Sequence, residues 1–157
     1  MKKLFLFFSI IAMLLNITIT ANAQKNIDCD GLPFLPDQSW KAETAGPKEG
    51  TLKFDSTTVE LQKIGYHKSD WEIISKKLNG VGLNGSVLNH LLFHQNLIPT
   101  EWIGKKIFFW GTIYTESSGV KCVLYLVYFN NEWTWEAQYL SEDANNKENN
   151  YAIVRKK

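Results

Sequence analysis

The chain has 157 residues, 45% of them hydrophobic and 13% aromatic, and a formal net charge of +1. That balance provides no basic stripe and so excludes an electrostatic mode of nucleic-acid binding. Arg155 is the sole arginine, which leaves almost nothing for forked capture of phosphate or carboxylate.

Lys2 and Lys3 precede an apolar run from Leu4 to Leu15, and a more polar segment ends at Ala21-Asn22-Ala23. This order predicts a secretory signal peptide over residues 1–23, cut before Gln24. The apolar run falls short of the roughly 20 residues that span a bilayer, so stable membrane insertion after cleavage is not expected. No cysteine stands at the cut, which argues against a lipid anchor. The lysines and the Ala-x-Ala site look bacterial and imply a periplasmic or extracellular product. Removing residues 1–23 from the 157 leaves 134, the size of one domain.

Residues 24–50 carry Pro33, Pro36 and Pro47 without sustained periodicity and read as an extended N-terminal arm; residues 51–157 read as a single domain. Leu52 and Phe54, then Val59 and Leu61, alternate across Asp55-Ser56 as in a hairpin or one bent strand. Ser69-Asp70-Trp71-Glu72 has the form of a capping box. Trp71, Ile74 and Leu78 continue it as a helix that Asn79-Gly80 ends. A second helix starts at Ser86, buries Val87, Leu88, Leu91 and Leu92, and stops before Pro99.

From Lys106 the period changes to two. Lys106–Thr115, Val120–Phe129 and Trp133–Leu140 predict an antiparallel meander turning at Ser118-Gly119 and Asn130-Asn131, with Tyr151–Arg155 as a fourth strand. The expected fold is therefore α+β, with two N-proximal helices packed on a C-terminal antiparallel meander of three to four strands.

Placing the turns at residues 117–118 and 130–131 sorts the side chains onto two faces. One, with Ile107, Phe109, Cys122, Leu124, Leu126, Trp133 and Trp135, is almost wholly apolar. The other mixes Phe108, Trp110, Tyr114, Tyr125 and Val127 with Thr134, Glu136 and Gln138. Flat rings beside polar groups suit a ligand platform, since rings offer contact area at little entropic cost. The expected function is an exported, non-catalytic binding protein for a protein or glycan partner, inhibitor-like, immunity-like or carbohydrate-binding. Trp110, Tyr114 and Tyr125 would stack on the partner while Glu136 and Gln138 would hydrogen-bond to it. The opposing expectation is that the arm or the 52–61 segment covers this face and makes its rings ordinary core. A one-residue slip in either turn would exchange the faces.

Three motifs carry other chemistries. His90 and His94 stand four apart on a helix, the spacing of metal ligands, and support the alternative of a metal-dependent envelope hydrolase completed by His67 or a carboxylate. Leu91 stands where an H-E-x-x-H motif has its glutamate, so a polar helix rim explains the pair equally. Gly80-Val81-Gly82-Leu83-Asn84-Gly85 spells G-x-G-x-x-G but follows a helix rather than a strand, so it reads as a connection and no cofactor is expected. Cys29 and Cys122, the only cysteines, predict a disulfide in an oxidising compartment. As a nucleophile Cys29 is disfavoured by the flanking Asp28 and Asp30, whose charge raises a thiol pKa.

Overall fold

The structure is a computed structural model that describes residues 25–44, 50–65, 67, 70–143 and 149–156. The expected signal peptide at 1–23, Ser69 of the expected capping box and residues 144–148 of the polar loop lie outside the described residues. No helix among the described residues is long and apolar enough to cross a membrane.

The expected architecture is overturned. Among the described residues there are nine strands and two α-helices, not two helices on a short meander. In chain order these are β1 (Asn26–Asp28), β2 (Lys41–Thr44), β3 (Thr51–Lys53), β4 (Val59–Lys63), α1 (Trp71–Leu78), α2 (Gly85–Phe93), β5 (Lys106–Phe108), β6 (Thr112–Thr115), β7 (Lys121–Phe129), β8 (Glu132–Tyr139) and β9 (Asn150–Arg155). Strands β1 and β3 pair as a small sheet; the other seven form a curled mixed sheet ordered β2-β6-β7-β5-β9-β4, with β8 on the far edge of β7. Leu52 and Val59 therefore do not belong to one hairpin: β3 pairs with β1 and β4 pairs with β9. The arm likewise contributes strands to both sheets. Three to five residues are too few to display a period, so pairing across the sequence decides these elements.

One long strand was expected at 106–115, and it breaks. Phe108 pairs with Tyr125 and Tyr114 with Cys122, so six steps on this strand match three on β7. The surplus around Phe109–Gly111 reaches the segment between the helices, where Gly111 N–H donates to Leu83 C=O at 3.0 Å. Leu83 N–H in turn donates to Ile153 C=O at 3.0 Å, and Arg155 N–H to Val81 C=O at 2.7 Å. The connection thus runs between β9 and the break, and the sheet curls around it. An odd surplus also reverses side-chain parity: Tyr114 joins the apolar face beside Cys122, and Ile113 joins the mixed one. The β7–β8 register instead falls where Asn130-Asn131 places it, both residues having positive φ (50° and 66°) as a two-residue type I′ turn requires.

Each face has its own helix. Val87, Leu88 and Leu91 of α2 pack with Ile107, Phe109, Leu124 and Leu126, and the arm residues Phe34 and Trp40 close that side over Trp135. Ile74 and Leu78 of α1 pack with Phe108, Trp110, Val123 and Tyr125 on the other side. Both helices on one face would have left the second set of rings in water; dividing them buries both.

The N-terminus of α2 explains its place. Asn84, itself buried, accepts from Ser86 N–H at 3.0 Å and Val87 N–H at 3.4 Å, while its amide donates to Cys29 C=O at 2.7 Å. One side chain caps the helix and fastens the arm to it. Asn84→Ala is expected to lower stability by about 2 kcal/mol, because it removes the cap and strands a buried carbonyl. Asn84→Asp keeps the acceptor and loses the donor, so its midpoint in urea unfolding should fall between the two. Equal midpoints for wild type and Asn84→Ala would overturn this role.

Candidate partner-binding surface

The five residues expected to form a platform do not share one open surface. Trp110 is 2% exposed, Tyr114 0%, Tyr125 4% and Gln138 8%, whereas Glu136 is exposed. Tyr114 has moved to the opposite core. Trp110 lies under α1 with Phe108, their ring centres 6.3 Å apart. Residues 70–78 form the cover, an arrangement that neither the arm nor the 52–61 segment supplies.

What remains open on the mixed face clusters on β8 and its neighbours. Glu136 is registered opposite Tyr125, and the Tyr125 hydroxyl donates to the Glu136 carboxylate. Lys106 Nζ donates to the same hydroxyl at 3.3 Å and lies 4.9 Å from the centre of the ring, a cation–π contact. Burial, and then the hydrogen bond to Glu136 and its charge, push the Tyr125 hydroxyl well above the usual tyrosine range. It is a fixed neutral donor rather than a base. Lys106, Val127 and Thr134 are half-buried beside this pair.

The outer edge of β8 is the second part of the surface. Leu140 N–H donates inward to Lys121 C=O at 3.0 Å, so the odd residues of β8 point their backbone groups away from β7. At Trp133 both groups are met by one side chain: Trp133 N–H donates to Gln95 Oε1 at 3.1 Å, and Gln95 Nε2 donates to Trp133 C=O at 3.0 Å. At the other end Tyr139 C=O accepts from Gln138 Nε2 and from Glu142 N–H, each at 3.2 Å. Between these two caps, the outward groups of Trp135 and Ala137 meet no hydrogen-bonding partner among the described residues. The sequence signalled neither Gln95 nor this edge, because both depend on strand order rather than local pattern.

The cysteines are not bridged; both are buried thiols. Cys122 faces the apolar core between its registered neighbours Tyr114 and Tyr139, whereas Cys29 follows β1 and lies 3.8 Å from an Arg155 guanidinium nitrogen. Burial, and then the charge of Glu116, push the Cys122 thiol up to about 12, which makes it inert as a nucleophile.

His90 and His94 lie side by side with ring centres 4.4 Å apart, and His67 is elsewhere, its Nδ1 3.7 Å from Asp143. Among the described residues no three side chains of His, Cys, Asp and Glu gather where one ion could sit. The third protein ligand of a hydrolytic zinc site is therefore not supplied there. The glycine motif has structural work instead. A side chain at Gly85 would collide with the Tyr114 hydroxyl, and one at Gly82 would lie 3.2 Å from Leu78 C=O.

Comparison with protein-family models, curated proteins and solved structures finds no match. The reading of function therefore rests on this surface alone.

Proposed function

We propose that this chain is an exported, non-catalytic binding protein whose partner is a protein that adds an extended segment to the edge of β8. The open pair of backbone rungs at Trp135 and Ala137, bounded by caps on both sides, carries the reading. A strand edge with unmet donors and acceptors is a template for another chain, and proteins that do not use such an edge generally cover it. Gln95 covers one position and leaves the next two.

Of the two partner classes, the geometry favours protein over glycan. Sugar recognition needs a ring face to stack on, and Trp110, Tyr114 and Tyr125 are buried against the chain's own side chains. An extended polypeptide needs backbone partners and alternating side-chain contacts. Thr134 and Glu136 flank the open rungs with a hydroxyl and a carboxylate, and the Lys106 ammonium stands behind Glu136 on Tyr125. The rigid Tyr125–Glu136 pair holds the carboxylate in place, which limits the entropy lost on contact. Export enters this proposal through residues 1–23.

The test is site-specific photo-crosslinking in the native cells. A photoreactive residue at position 136 should give a discrete protein adduct, and one at Lys76, on the exposed side of α1, should not. Ala137→Pro removes one outward N–H and places a ring against the edge, a change that edge strands tolerate. It should abolish the adduct while leaving the melting temperature within a few degrees. Equal adducts at both positions, or an adduct that survives in folded Ala137→Pro protein, would reject the reading.

A further inference from the structure

Away from β8, the C-terminal end of α2 carries a feature that partner binding does not use. We infer that His90 and His94 form a two-imidazole site for a late first-row divalent metal ion, copper(II) above all.

Their spacing first puts both rings on one side of the helix. His94 is also the C-cap residue, and its N–H donates to His90 C=O at 3.0 Å, which holds the two backbone positions one turn apart. The separation then matches chelation. With metal–nitrogen bonds of about 2.0–2.1 Å and ring centres roughly 1.1 Å behind the bonded nitrogens, two imidazoles at 90–110° on one ion have centres ~4.5–5.2 Å apart. The observed 4.4 Å, at an interplanar angle of 44°, falls just short of the right-angle end of that range. A right angle between adjacent ligands is the tetragonal geometry that copper(II) prefers, and copper(II) tops the affinity order for imidazole sites.

The surroundings suit a cation as well. The two histidines line a cleft of about 230 Å³ with Asp28, Ser86 and Asn89, which bring a carboxylate, a hydroxyl and an amide to its walls. Among the described residues no lysine or arginine lines it. The last turn of α2 points its carbonyl ends, the negative pole of the helix dipole, toward the histidine end. With only two imidazoles from the chain, the remaining ligand positions belong to water or to oxygen donors of the cleft. This is a binding site that tethers an ion to the surface, not the closed three-ligand arrangement of a hydrolase.

The experiment is a titration of the chain from Gln24 onward with copper(II), followed by calorimetry and by electron paramagnetic resonance. One equivalent should bind with the signature of two coordinated ring nitrogens and should raise the melting temperature by mass action. His90→Gln and His94→Gln should each weaken binding at least tenfold, and the double variant should lose the two-nitrogen signature. His67→Gln should leave both readouts unchanged. None of the three positions is buried, His67 being exposed and His90 and His94 half-buried, and circular dichroism and melting without metal verify that each variant is folded. Absence of binding, equal affinity in His90→Gln or His94→Gln, or a nitrogen signature that persists in the double variant would overturn the site.

Discussion

Replacing Trp110 with alanine is expected to destabilise the protein by about 3–5 kcal/mol, the cost of emptying a large aromatic position in a packed core. For a domain of this size that corresponds to a fall of ~10 °C or more in melting temperature. The expectation follows from where the ring sits. It is 2% exposed under α1, beside Phe108, and within the cluster that also contains Ile74, Leu78, Val123 and Tyr125. Neighbouring side chains belong to short, cross-linked elements and cannot collapse far into the space. Ile73→Ala is the control: that residue is 66% exposed on the outer side of α1 and should melt within about 2 °C of wild type. Thermal unfolding of the two variants in parallel decides the matter. A Trp110→Ala protein as stable as the Ile73→Ala one would return the ring to the surface and restore a stacking platform.

Gly111→Ala should be at least as damaging, although it adds only one methyl group. A Cβ at Gly111 would lie 2.5 Å from Gly82 C=O, 2.9 Å from Asn84 N and 2.9 Å from the Leu83 carbonyl carbon. All three contacts are backbone, so no side-chain rotation relieves them. The inter-helix segment must withdraw, and the 3.0 Å bond from Gly111 N–H to Leu83 C=O weakens with it. Overpacking and a disturbed buried hydrogen bond together amount to roughly 3 kcal/mol or more. Gly65→Ala provides contrast, since an added Cβ there meets nothing within 4 Å. It should be neutral or slightly stabilising through the unfolded state. Urea midpoints that coincide for the two variants would show that the close approach at Gly111 is not a constraint.

These two expectations also mark where the sequence was legible. The alternation in 121–139 and the Asn130-Asn131 turn identified the β7–β8 hairpin and the composition of both its faces, because hairpin register is set locally. The stripe of Trp71, Ile74 and Leu78 and the terminating Gly80 located α1 for the same reason. Three things depended on distant partners and left no local trace. The arm and the 51–63 region form strands only because β6, β9 and one another are there to receive them. The long strand at 106–115 breaks because the inter-helix segment competes for Gly111. The helices divide between the two faces because both faces are apolar enough to need cover, whereas a mixed face was expected to meet solvent. Of the residues singled out for partner contact, Glu136 lies in the open, and its neighbours on the exposed surface were set by strand order.

The position of β9 has a kinetic consequence. Among the described residues this strand is the last of nine, yet it lies inside the sheet, parallel to β5 on one side and antiparallel to β4 on the other. The pairing of β4 with β9 joins residues some ninety positions apart, a long-range closure that topology makes slow. Until residues 150–155 arrive, β4 has no sheet to join and β5 has only one neighbour. The β4 side of the sheet therefore stays open on a nascent chain until residues 150–155 have been made.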